Sequence, residues 1–166
     1  MTLTEEQKNK IIDIIDVKLK DFYGKLNADP EKRQRLGQFY TPGKVCIKML
    51  EKYDCDDFSG KTILDPCCGS GNLLIAMLCI GADLDKLYGN DYDKDAVELC
   101  QERLLKAADY LGLDKSKFRN WQLHQGNALH KICLTTFCED YYDLYDVRRI
   151  DDLSYVQGDY IQESLF

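Results

Sequence analysis

The stretch Thr62-Ile63-Leu64-Asp65-Pro66-Cys67-Cys68-Gly69-Ser70-Gly71-Asn72 decides how this chain is read. Its apolar, β-branched start ends in an acid and a proline, a glycine pair follows, and Leu73 to Ile80 then run as an apolar helix. The order is strand, tight turn, helix. Glycines at 69 and 71 leave no Cβ where a ligand must come close, and the first N–H groups of the helix face the same point. That is the plan of a nucleotide cradle. Leu74 stands where the dinucleotide fingerprint has its third glycine, which weakens an NAD or FAD reading. On these residues alone an ordinary strand-to-helix turn is the other reading.

Downstream, Lys86-Leu87-Tyr88-Gly89-Asn90-Asp91 predicts a second short strand closed by an acid, about twenty residues past the glycines. A carboxylate there can accept both hydroxyls of a ribose, and Tyr92 can lie against a base. Asp93 is the expected cap of a helix from Ala96 to Leu111, which Gly112 stops. Asn120 to Gln125 alternates as a third strand, and Asn127 just after it can offer an amide to an adenine edge. Residues 143–147 read as a fourth strand; beyond Arg148 no period is legible. His124 and His130 are the only histidines, and no Ser or Cys stands in a recognisable nucleophile pattern with them, so surface or core roles are expected.

Upstream, Thr4-Glu5-Glu6-Gln7 has capping-box form and starts a long amphipathic helix, expected to reach about Asn27, with Ile11, Ile14, Ile15, Val17, Leu19 and Tyr23 on its stripe. Asp13, Asp16 and Asp21 dilute the lysines of its polar face, which favours packing on the body or on a second copy over a membrane surface. A polar connector containing Pro30 leads to Leu36-Gly37-Gln38-Phe39-Tyr40-Thr41-Pro42, a loop with two adjacent aromatics. Thr41 is the expected cap, and Pro42 the first residue, of a helix reaching Tyr53. The aromatics read either as a hydrophobic plug or as a cover for an adenine ring or its attached chain.

The total of 166 residues suits one domain with a real core. The expected division is an N-terminal helical segment over 1–35, a nucleotide-binding unit over 36–147 and a tail over 148–166. No apolar run approaches a membrane span and no signal-peptide plan opens the chain, so a soluble, cytoplasmic protein is expected. Of the eight cysteines, Cys46, Cys79 and Cys100 lie in apolar helical stretches and Cys67 and Cys68 beside the glycine turn, which favours reduced thiols. Cys133 and Cys138 lack a second ligand pair, so no metal site is expected. Residues 1–52 carry eleven Lys and Arg against eight Asp and Glu, while residues 53–166 carry eleven against twenty-one. With a net charge of −7, the body repels phosphate, and unaided binding to DNA should be weak.

Gly37-Gln38-Phe39-Tyr40-Thr41-Pro42, Asp65-Pro66-Cys67-Cys68-Gly69-Ser70-Gly71-Asn72-Leu73, Gly89-Asn90-Asp91 and Gly126-Asn127-Ala128-Leu129, in that order, resemble the N6-adenine DNA methyltransferases, especially the modification subunits of type I restriction systems. The combination is far more specific than any part. The resemblance, over about residues 35–130, implies an S-adenosylmethionine-dependent methyltransferase of α/β, Rossmann-like fold. It implies that Gln38, Phe39, Tyr40, Thr41, Pro42, Asp65, Pro66, Cys67, Gly69 and Gly71 hold the cofactor, that Asp91 takes the ribose, and that Asn127, in place of the usual Asp, meets the adenine; Tyr92, beside Asp91, and Ala128, beside Asn127, complete the expected cofactor-binding set.

The chain also departs from that family. The catalytic Asn- or Asp-Pro-Pro-Tyr or Phe motif follows the family's fourth strand and holds a flipped adenine. Here the three prolines are Pro30, Pro42 and Pro66, so none follows residue 66. Asp152-Leu153-Ser154-Tyr155 keeps an acid and an aromatic at that separation without the prolines, which leaves Asp152 and Tyr155 as weak catalytic candidates. The sheet reads as truncated after its cofactor half. The expected function is adenine-N6 methylation of DNA. The alternative is a catalytically inactive S-adenosylmethionine-binding regulatory or partner subunit. The open sheet edge needs a cover, and the candidates are the Thr4–Asn27 helix, the tail from Arg148 to Phe166, a second copy in a homodimer, or a partner chain.

Overall fold

The computed structural model describes residues 2–22, 30–35, 38–53 and 55–128. The chain begins with the expected capping box: Thr4 Oγ1 accepts the Gln7 N–H at 3.2 Å, and Gln7 Oε1 accepts the Thr4 N–H at 2.9 Å. Helix α1 runs Glu5–Ile12 and then departs from expectation. It widens into a π-helical turn, Asp13–Lys18, and closes in a 3-10 turn, Lys20–Phe22, where one long α-helix was expected. Ile11, Ile14, Ile15 and Leu19 are all buried, and their spacing is met by a 3.6-residue period and by a wider one alike. In the wider turn the Leu19 N–H reaches the Ile14 carbonyl at 3.0 Å, and Val17, read as part of the stripe, is left exposed.

Two short helices follow, α2 over Pro30–Arg35 and α3 over Gly43–Leu50. The cap of α3 corrects the sequence reading. Pro42 is the N-cap and contributes no side-chain bond; Asp16, within the widened turn, accepts the Gly43 N–H at 3.1 Å. Thr41 instead turns its carbonyl to Asn72. A carboxylate from a distant element has replaced the local hydroxyl at a helix start that favours negative charge.

Strand β1 (Ile63–Asp65), helix α4 (Asn72–Cys79), strand β2 (Leu87–Asp91), helix α5 (Lys94–Leu111) and strand β3 (Leu123–Gln125) then alternate. The strands pair in parallel in the order β1-β2-β3, with Leu64 opposite Tyr88 and Asn90 opposite His124. Parallel neighbours need crossover helices, and α4 and α5 fill that role, packing on each other and on the sheet. Helix α4 is apolar all round, and it is buried from Leu74 to Cys79 because the sheet, α5, α3 and α1 surround it. Helix α5 is capped by Asp93, whose carboxylate accepts the Asp95 N–H at 3.2 Å, and ends at Gly112, as expected.

The third strand is shorter than its alternation implied. Asn120–Gln122 form a 3-10 turn because the buried Gln122 amide donates to the Leu84 and Leu87 carbonyls, at 2.9 and 2.7 Å, and closes the lower end of β2. The described residues form a small α/β structure on a three-stranded parallel sheet. The expected fourth strand at 143–147 and the tail from 148 lie outside the described residues.

Candidate functional site

At the carboxyl ends of the strands, the backbone after β1 turns over Cys68 and enters α4 through Gly71. Gly69 and Gly71 both have positive φ, +51° and +80°. They are required for different reasons. A Cβ at Gly71 would stand 2.6 Å from Cys100 Sγ on α5, whereas one at Gly69 would meet nothing within 4 Å. The first glycine therefore keeps a left-handed backbone beside open space, and the second lets α4 and α5 touch.

Side chains fix the strand ends around this turn. Asp91 Oδ2 accepts the Gly69 N–H at 2.8 Å, and its Oδ1 accepts the Asp93 N–H at 2.9 Å. Asp65 Oδ1 accepts the Cys67 N–H at 3.1 Å. The buried Asn90 amide donates to the carbonyls of Pro66 and Gly126, at 3.1 and 2.9 Å, tying the end of β1 to the end of β3. His124 Nδ1 lies 3.2 Å from Asn90 Oδ1, which gives this histidine a supporting place in the same network.

Opposite the turn runs a strap, Gln38 to Thr41, fastened by long-range bonds. Gln38 Nε2 donates to Asp93 Oδ2 at 2.6 Å. Lys32, on α2, bridges Asp93 at 2.7 Å and Asp95 at 2.6 Å. Asn72, the first residue of α4, donates its amide to the Thr41 carbonyl at 2.7 Å. Between strap and turn lie two adjoining cavities that share Phe39, Tyr40, Cys67 and Gly69 as walls. The larger, about 270 Å³, is completed by Gln38, Asp91, Tyr92 and Asp93. The smaller, about 170 Å³, reaches Asp65, Ser70, Met49 and Leu73. Phe39 is 85% exposed and Tyr92 66%, so two aromatic side chains at the cleft have little protein packed on them.

The cleft is acidic. Asp65, Asp91 and Asp93 line it, and among the described residues no lysine or arginine lines either cavity. Burial pushes the Asp65 carboxyl above its ordinary range, and the nearby charge of Asp91 pushes the same way against the Cys67 N–H bond. Burial also works against ionising Asp93, but bonds from Lys32 and Gln38 outweigh it and hold this carboxyl below its ordinary range. Lys32 is raised in turn by its bonds to Asp93 and Asp95. Burial, then the charges of Asp91 and Asp65, raise the Cys67 thiol, so it stays protonated at neutral pH. The six cysteines among the described residues are free thiols, and burial pushes Cys46 and Cys79 up to about 12.

Nine of the residues singled out from sequence therefore meet on the cleft: Gln38, Phe39, Tyr40, Thr41, Asp65, Cys67, Gly69, Asp91 and Tyr92. Pro42, Pro66 and Gly71 support it from behind, as the α3 cap, a carbonyl held by Asn90 and the α4 cap. Asn127 and Ala128 are not among the residues lining the two cavities; they follow Gly126, whose N–H donates to the Asp91 carbonyl at 2.9 Å. Asp152 and Tyr155 lie outside the described residues. Sequence reading assigned Asp93 a capping role only, and it missed Lys32, Asn72 and Arg103. Arg103 was legible in principle, because a charged residue stands on the α5 stripe of Ala96, Cys100 and Ala107.

A profile of the N-6 DNA methylase family matches residues 19–130, two thirds of the chain, and spans the strap, the turn and all three strands. The chain belongs to this family. It is 36% identical over 86 residues to the type II methyltransferase M.VspI of Vibrio sp. (strain 343), a match that covers 52% of this chain and 21% of that protein. It is 28% identical over 135 residues to the ribosomal protein L11 methyltransferase of Fusobacterium nucleatum subsp. nucleatum, covering 79% of this chain and 39% of that one. The matches thus span well under half of either curated relative. No solved structure matches. Among the described residues no helix is long and apolar enough to cross a membrane, and no group of three or more His, Cys, Asp or Glu is placed to hold a metal ion.

Proposed function

We propose that the cleft binds S-adenosylmethionine and that the chain contributes this cofactor-binding part to the methylation of adenine N6 in DNA. The observation that carries the reading is the acid-lined cleft between the glycine turn and the aromatic strap. Two family stretches far apart in sequence face one another across it, and Asn72 and Asp93 fasten them together. The donor set fits the cofactor. Carboxylates suit a ligand bearing a sulfonium and an ammonium, whereas the pyrophosphate of a dinucleotide would be repelled by the same three acids. The open side of Gly69 admits close approach, and Asp91 keeps lone pairs for ribose hydroxyls beyond the two N–H bonds it accepts. Phe39, Tyr40 and Tyr92 offer flat faces to an adenine.

When bound, S-adenosylmethionine supplies an electrophilic methyl group. The chain's own work is to bind, orient and exclude water. The raised thiol of Cys67 serves the same end, since a protonated thiol beside an alkylating group is a poor competitor for the methyl. In this reading β1 to β3 are the cofactor half of a Rossmann-like methyltransferase sheet. Residues 36–147 form the binding unit, residues 1–35 the helical segment ahead of it, and residues 148–166 a tail.

Calorimetry with S-adenosylmethionine or its demethylated product tests the proposal. Binding should weaken about tenfold or more in Asp91→Ala, as expected for a charge-assisted bond of roughly 1.5–3 kcal/mol. No heat at millimolar ligand would refute it. The expected rate of methyl transfer to mixed DNA by these 166 residues alone is low, because no proline follows Pro66 to preset the adenine-holding turn. Robust incorporation of labelled methyl, abolished by Asp152→Ala or Tyr155→Ala, would assign that turn to Asp152-Leu153-Ser154-Tyr155 instead.

A further inference from the structure

Behind the glycine turn lies a charged group that the cofactor reading does not use. Arg103 projects from the middle of α5 and is fully buried. Its Nη1 shares two hydrogens among three acceptors, the Ser70 carbonyl at 2.6 Å, Ser70 Oγ at 2.7 Å and Asn72 Oδ1 at 2.5 Å. The other end of the Asn72 amide donates to the Thr41 carbonyl at 2.7 Å. These bonds form one directed line: guanidinium to amide oxygen, amide nitrogen to strap carbonyl. A buried cation polarises the amide whose oxygen it binds, which strengthens the bond made by that amide's N–H. Asn72 is 4% exposed and Arg103 is fully buried, so water does not compete at the link between them.

We propose that Arg103 is a positioning residue that acts through Asn72 to couple the strap to the glycine turn, so that the two walls of the cleft hold one spacing. The inference rests on the cofactor reading for its consequence, not for its geometry. Thr41 is held by its backbone carbonyl and cannot be deleted by substitution, so the line is best cut at Asn72. Asn72→Asp keeps an oxygen for Arg103 and adds charge to that bond, but it removes the donor and sets a carboxylate oxygen against the Thr41 carbonyl. A purely supporting role of Arg103 at the turn would survive this change; coupling would not.

The expected result is a thermal midpoint close to that of the unmodified chain, a fivefold or greater loss of S-adenosylmethionine affinity, and faster amide exchange at residues 38–41 with no change in β1 to β3. Arg103→Met should lose affinity as well. Arg103→Lys should recover part of it, because an ammonium offers three donors to the same three oxygens. Wild-type affinity together with unchanged strap exchange in Asn72→Asp would overturn the proposal. If the unmodified chain takes up no S-adenosylmethionine, the cofactor reading fails on its own. Strap exchange, measured without ligand, then still decides the coupling: faster exchange in Asn72→Asp supports it and unchanged exchange overturns it.

Discussion

One wall of the cleft is built by the sheet and the other is tied on. The glycine turn follows directly from β1, its backbone is bonded to Asn90 and Asp91 on the neighbouring strand, and its fit against α5 leaves no room at Gly71. Among the described residues no strand pairs with the strap. It is fastened by the Gln38 and Thr41 bonds, and the neighbouring Lys32 and Gly43 are fastened by side chains that lie far away in the sequence. A wall made of backbone pairing should fail only with the fold. A tied wall should loosen while the fold persists, which is how cleft-closing segments elsewhere are drawn from the less stable parts of a protein.

The largest expected effect separates two substitutions in the sheet-built wall. Gly71→Ala should cost about 2–5 kcal/mol, from left-handed backbone strain and from overpacking on Cys100 Sγ. Gly69→Ala pays only the backbone part, about 1–2 kcal/mol, because its Cβ would meet open space. Urea titration of both variants measures the difference, and equal losses would show that contact with α5 is not what Gly71 protects.

On the tied wall, Lys32→Met should change global stability by only about 1–2 kcal/mol, since Lys32 and Asp95 reach water while the buried Asp93 carboxylate keeps its bonds from Gln38 and the Asp95 N–H. It should nevertheless raise amide exchange at residues 38–41. Acid should do the same to the unmodified chain. The Asp93 carboxyl is held below its ordinary range, so its contribution is complete above the unfolded carboxylate value of about 3.9 and is lost as pH falls through the folded value. Strap exchange corrected for intrinsic rate should rise over that acid window, and Asp93→Asn should flatten the rise.

The smallest effect has the opposite sign. Burial raises Asp65, so its charge costs stability above the folded value and the cost disappears on acidification. Asp65→Asn keeps an oxygen for the Cys67 N–H and should raise the thermal midpoint at neutral pH by a few degrees at most, with no gain in strong acid. If cofactor binding uses this charge, the same variant should bind more weakly, a trade between stability and function.

The two walls also differ in how well sequence describes them. The turn, β1, β2, α4 and α5 were legible because a short strand, a glycine pair, an N-cap and an apolar period are local signals, and Asp91 fell at a fixed distance from the glycines. The fastenings were not. Nothing near Gly43 announces that Asp16 caps its helix, and nothing near Asp93 tells that a capping carboxylate also receives Lys32 and Gln38. The widened turn at Asp13–Lys18 was hidden for another reason: buried isoleucines satisfy either helical period, and only the packing partner selects one. Gln122 was read as a strand residue because alternation does not reveal an amide that two carbonyls demand.

The burial of α1 and the π-helical turn that extends it has a consequence for the chain as it is made. Helix α1, with Ile11, packs on α3 and α4, and the turn, with Ile14 and Ile15, packs on α4, which ends at Cys79. A ribosome adding roughly 5–20 residues per second needs about 3–12 s to pass from Leu19 to Cys79. For that interval the surface that receives the apolar stripe is incomplete. This stripe is thus made well before it is fully protected, and a chaperone that engages short apolar helices would meet it before any strand of the sheet exists.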